Sequence, residues 1–63
     1  MASKQYTEIF NLKSGMSFAE REKFIQYQVN KIQHEMQASG FQYLSYHVNT
    51  ASDLKMSITF FYT

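Results

Sequence analysis

The sequence predicts a single α+β domain, with one long helix packed on a three-stranded sheet. Three observations predict it. A 23-residue stretch, Ser17 to Ser39, carries helical periodicity with a start and a stop signal. Two later stretches alternate polar and apolar residues with period two and are joined by a polar cluster. The chain has only 63 residues, which is room for one domain.

The first element is a strand. Gln5 to Leu12 (QYTEIFNL) is rich in β-branched and aromatic residues, which suit a pleated, half-buried surface. Tyr6, Phe10 and Leu12 fall on one face, Thr7 and Ile9 on the other. Glu8 interrupts the inner face, so the strand is expected either to bulge or to bury only its second half. Before it, Met1 to Lys4 reads as a frayed terminus. After it, Lys13 to Met16 reads as a short loop turning at Gly15.

The helix follows. Ser17 can accept from an unpaired first-turn amide, and Glu20, three residues on, completes a capping box. Glu20 and Glu22 put negative charge near the positive end of the helix dipole. No Gly or Pro interrupts the interior. Phe18, Ile25, Val29, Ile32 and Met36 form one apolar stripe. Phe24 lies beside that stripe and Tyr27 nearly opposite it. Lys23, Gln26, Asn30, Gln33, His34 and Gln37 form the polar side. Gly40 offers the left-handed position that ends helices, with Phe41 folding back on Met36.

Two further strands complete the fold. In Phe41 to Asn49 (FQYLSYHVN), Leu44, Tyr46 and Val48 share one face, and Tyr43, Ser45 and His47 the other. Asn49 to Asp53 (NTASD) is a polar turn cluster of hairpin size. In Leu54 to Tyr62 (LKMSITFFY), Leu54, Met56, Ile58, Phe60 and Tyr62 make an apolar face. This strand is the most apolar and belongs in the middle. The spatial order is then first, third, second, a split βαβ arrangement with a right-handed crossover. The helix is expected to cover Phe10, Leu44, Tyr46, Val48, Met56, Ile58 and Phe60.

One helix covers one sheet face. The other face is expected to show Ile9, Tyr43, His47, Thr59 and Phe61, with Phe41 at its edge. An apolar patch of that kind marks an interaction surface, and the two open edges of a small sheet invite strand pairing. Ile9, Tyr43, His47 and Phe61 are therefore the candidate interaction residues.

Composition narrows the function. A chain of this size buries only ~60% of the surface its unfolded form exposes, so a thin core needs a disulfide, a metal or a partner. There is no Cys, which removes disulfides and thiolate ligands and fits a reducing cytoplasm. Aromatics make up 17% of the chain, five Tyr and six Phe, a surplus for one helix and a small sheet. A net charge of +1 advertises no polyanionic partner. No apolar run has the length of a membrane span or a signal-peptide core.

Catalytic and metal readings have little to stand on. His34 and His47 are the only histidines, and His34 lies on the polar side of the helix. Asp53, the sole Asp, sits in a turn and Glu20 has a capping role, so no base is paired with an orienting group. The expectation is no enzyme, no metal and no cofactor. Aromatics on a sheet face can stack single-stranded bases, which makes Tyr43 and Phe61 the basis of an alternative nucleic-acid or nucleotide reading. Against it, Lys4, Lys13, Arg21, Lys23, Lys31 and Lys55 are scattered and form no phosphate-binding footprint. The layout is similar, in architecture alone, to small sporulation-associated and phage-encoded proteins. The leading expectation is a small cytoplasmic, non-enzymatic interaction module that forms homo-oligomers and binds or regulates a larger protein.

Overall fold

The computed structural model describes residues 3–52 and 54–63. The elements run β1 (Lys4–Asn11), α1 (Phe18–Ala38), β2 (Tyr43–Ser52) and β3 (Lys55–Tyr62). The sheet order is β1-β3-β2, with both outer strands antiparallel to β3. This is one helix on a three-stranded antiparallel sheet, of the α+β class. β1 and β2 therefore run parallel to each other with β3 slotted between them.

The central place of β3 follows from its side chains. Met56, Ile58 and Phe60 are buried, the last two completely. A strand that buries three large apolar groups on one face needs a neighbour on each side to exclude water, and only the middle position supplies both. Val29, Ile32 and Met36 of α1 close over Ile58 and Phe60, with Phe10, Ile25, Tyr43, Val48 and Tyr62 packed around this cluster. Phe24 meets Phe10 edge-on at 5.5 Å between ring centroids. Leu12 and Met56 complete the seven buried apolar residues.

Both helix ends are built by local chemistry. The Glu20 amide donates to the Ser17 hydroxyl at 3.2 Å, and the Ser17 amide donates to the Glu20 carboxylate at 3.4 Å. At the other end, the Phe41 amide donates to the Met36 carbonyl at 2.9 Å and the Gly40 amide to the Gln37 carbonyl at 3.1 Å. That pair of bonds is a Schellman ending. It requires the left-handed conformation at Gly40, whose φ is +87°. Phe41 and Met36 line one cleft, and the Phe41 ring packs edge-on against Tyr62 at 5.2 Å.

Several expectations need correction. β1 has no bulge: its register with β3 is unbroken from Lys4↔Tyr62 to Asn11↔Lys55. The other outcome expected of it holds: Lys4 to Thr7 are exposed while Glu8 and Phe10 are half-buried, and Leu12, just beyond the strand that ends at Asn11, is buried and donates to the Leu54 carbonyl at 2.8 Å. Lys4 belongs to the strand; the fraying expected of Met1 and Ala2 lies outside the described residues. Asn49 to Ser52 do not form the turn but continue β2, and Leu54 belongs to the connection. The turn role expected of Asp53 lies outside the described residues.

The bulges fall on β2 instead. Between Tyr43↔Tyr62 and Ser45↔Phe61, β2 advances two residues for one on β3, and it does so again between Thr50 and Ser52. Each extra residue reverses the facing of what lies beyond it. Leu44 becomes the surplus residue and is 46% exposed, and Tyr43 turns to the helix side, against the core. Phe18 also departs from the stripe, being 79% exposed. It stands at the mouth of a groove with Tyr46 and Val48, on the β2 flank, where no further strand closes over it. Gln33 is half-buried rather than fully solvated.

Three stability predictions follow. No atom crowds a Cβ added at Gly40, so the effect of Gly40→Ala is the backbone strain alone, a loss of about 1–2 kcal/mol read by thermal or urea melts. Ile58→Ala should lose ~2–5 kcal/mol and leave so small a domain largely unfolded. Ile9→Ala, on a side chain 71% exposed, should shift stability by less than about 0.5 kcal/mol.

Candidate interaction surfaces

Four surfaces could carry function: the uncovered sheet face and three grooves beside the helix. The pairing register assembles the sheet face in rows across the strands. Gln5, Phe61 and Ser45 form one row; Thr7, Thr59 and His47 the next; Ile9, Ser57 and Asn49 the third. Thr7 and Thr59 share a hydroxyl–hydroxyl bond of 2.9 Å at the centre. The face is therefore chiefly hydroxyl and amide. Ile9 pairs with Ser57, four residues from Phe61 along β3, so these two apolar groups stand about 13 Å apart with the threonine row between them.

The candidate residues accordingly divide. Ile9, His47 and Phe61 lie on the uncovered face. Tyr43 does not join them, because the bulge after it turns its ring under the helix. Tyr43 and Phe61 thus lie on opposite sides of the sheet and cannot stack two bases on one platform. His34 is exposed on the helix, beside Asn30, Gln33 and Gln37, while His47 lies on the far side of the sheet. The two imidazoles belong to opposite outer surfaces, and no group of three or more His, Cys, Asp or Glu among the described residues could hold a metal ion.

The grooves take the aromatic surplus. On the β2 flank, a groove of about 280 Å³ runs between the helix start and the strand, lined by Phe18, Ile25, Tyr46, Val48 and Met56, with Arg21 and Glu22 at its rim. Near the same helix end, towards β1, Leu12, Met16 and Phe24 floor a second groove beside Lys13 and Lys23. Where β1 begins and the helix ends, a smaller cleft of about 190 Å³ is walled by Tyr6, Phe41, Tyr62 and Glu35. Burial pushes the Tyr6 phenol above its ordinary 10, helped by the Glu8 carboxylate, to which it donates at 3.4 Å, and by Glu35. Burial likewise raises the Tyr43 phenol, with a smaller push from Tyr46.

Phe18, Tyr46, Tyr6 and Phe41 were not singled out as binding residues from the sequence. The aromatic count signalled a surplus, but it was expected on the uncovered face, and of Tyr43, Phe61 and Phe41 only Phe61 lies there. Placing Tyr46 and Phe18 on the covered face also hid that the helix leaves both of them more than a third exposed.

No family model, curated protein or solved structure matches this chain. No helix among the described residues is long and apolar enough to cross a membrane.

The place of Tyr43 can be checked through pH. A phenol whose folded-state pKa lies above its unfolded value contributes stability that is complete below about pH 10 and is lost as pH rises through the folded value. The melting temperature should fall as pH rises above about 10, and Tyr43→Phe should reduce that fall. An unchanged alkaline slope in Tyr43→Phe would put the ring outside the core.

Proposed function

We propose that this protein is a small non-enzymatic interaction module that self-associates and, as an oligomer, binds or regulates a larger protein. The observation carrying this reading is the balance of apolar side chains. Seven are buried, while eight large ones remain more than a third exposed among the described residues. The radius of gyration of 12.6 Å exceeds the about 10.6 Å of a compact chain of this length, because two thin layers leave a flat, elongated body. A body of this kind gains from a partner that thickens it.

A second copy fits best along β2. Among the described residues its outer backbone edge has no strand partner, and Phe18, Leu44 and Tyr46 are exposed beside it. Between its two bulges, Ser45 to Thr50 remains regular and long enough to pair with a symmetry mate. The opposite edge is guarded, since β1 points Glu8 inward and begins with Lys4, both devices that discourage edge pairing. The uncovered face has one strongly exposed large apolar residue, Ile9, set apart by its central threonine row, against Phe18, Leu44 and Tyr46 on the β2 flank.

Light scattering and dilution melts test this. Folding linked to association makes the melting temperature rise with protein concentration. Phe18→Asp adds an acid at the helix N-terminus, where it is tolerated, and should yield a folded monomer. Ile9→Asp, on the uncovered face, should leave the oligomer intact. A wild-type monomer whose melt is independent of dilution would sink the reading. Dissociation by Ile9→Asp but not Phe18→Asp would move the interface to the uncovered face.

A further inference from the structure

The cleft between the start of β1 and the end of α1 has a chemistry that self-association along β2 leaves unused. Three aromatic rings wall it: Tyr6, Phe41 and Tyr62. Phe41 stands edge-on to Tyr62 at 5.2 Å, so the two rings present their surfaces at a steep angle, 74° between planes, rather than as one flat wall. The Glu35 carboxylate lines the same cleft, and Glu8 reaches the Tyr6 hydroxyl from the strand side. The negative end of the helix dipole also points here, and the last helical turn carries no basic residue to offset it.

A cation is already drawn to this corner. The Lys4 ammonium lies 5.2 Å from the centre of the Phe41 ring, within cation–π range. The space, about 190 Å³, is below the ~300–1,000 Å³ that holds drug-sized ligands and suits a compact head group. Aromatic faces with a carboxylate at the side select a cation that is bulky, apolar on its surface and unable to donate hydrogen bonds. A primary ammonium lacks that apolar surface and keeps its strong hydration.

We propose that this cleft binds a compact quaternary ammonium head group, with Phe41, Tyr6 and Tyr62 supplying its aromatic walls and Glu35 the countercharge. The head group can reach it from a free solute or from a lipid, since both present the same trimethylammonium surface. Lys4 then acts as an internal competitor for the Phe41 face.

The test is a titration of the full chain with choline, followed by amide chemical shifts, beside 3,3-dimethyl-1-butanol, its neutral isostere. Choline should move the amides of Tyr6, Glu35, Phe41 and Tyr62, and the neutral isostere should move them far less at equal concentration. Phe41→Leu should weaken binding about 2–5-fold, and Lys4→Gln should strengthen it by a similar factor. Glu35→Gln, on an exposed helical position that should fold normally, should also weaken it. Sedimentation with phosphatidylcholine vesicles assigns the source: pelleting means a lipid head group, whereas a protein that stays in solution yet binds choline takes a free solute. Equal shifts from the neutral isostere, no choline-induced shifts, or unchanged binding in both Phe41→Leu and Glu35→Gln would overturn the proposal.

Discussion

The fold depends on hiding one strand. β3 presents Met56, Ile58 and Phe60 on a single face, and each is at most 2% exposed. A strand with that face cannot lie at an edge of a two-layer protein without wetting part of it. Hence β1 and β2 must flank it, and α1 must cross above it. The helix in turn needs its own apolar residues over that strand, and Val29, Ile32 and Met36 supply them. The capping box and the Schellman ending fix where the helix may start and stop, so it arrives over β3 with little freedom to slide.

That economy has a consequence at the flanks. A single helix covers the sheet's centre line well and its margins poorly. Phe24 reaches down to Phe10 on the β1 side. On the β2 side, Phe18 and Tyr46 line an open groove. At the helix C-terminus, Tyr6, Phe41 and Tyr62 gather without closing over. Apart from Tyr27 on the outer side of the helix and Phe61 on the uncovered face, the aromatic surplus is thus distributed along the rims of the two layers, while the uncovered face is chiefly polar. Rims are where a second copy can complete the core, and where an aromatic-walled cleft can take a small cation.

Much of this was legible in the residues themselves. Local signals set the helix, because Ser17, Glu20 and Gly40 act through bonds to near neighbours, and the alternation of Lys55 to Tyr62 marks a strand with one apolar face. The apolarity of that strand was enough to place it centrally and so to give the order β1-β3-β2. These are properties of periodicity and capping, which the chain carries without reference to its partners in space.

The tertiary structure alone decided which side of the sheet several residues occupy. In Phe41 to Asn49 the apolar positions change phase at the adjacent pair Tyr43 and Leu44, and the register against β3 makes Leu44 the surplus residue and turns Tyr43 inward. A bulge is defined only relative to a neighbouring strand, so the phase change hints at one while the pairing decides which residue is surplus. Phe18 obeys the helical spacing and is still exposed, because burial requires something opposite and the sheet has no fourth strand there. The sequence by itself determined the elements, their ends and the buried stripe of β3, since those rest on interactions between near neighbours. Pairing and coverage decided the surfaces, since those rest on what the remaining chain places across from each side chain.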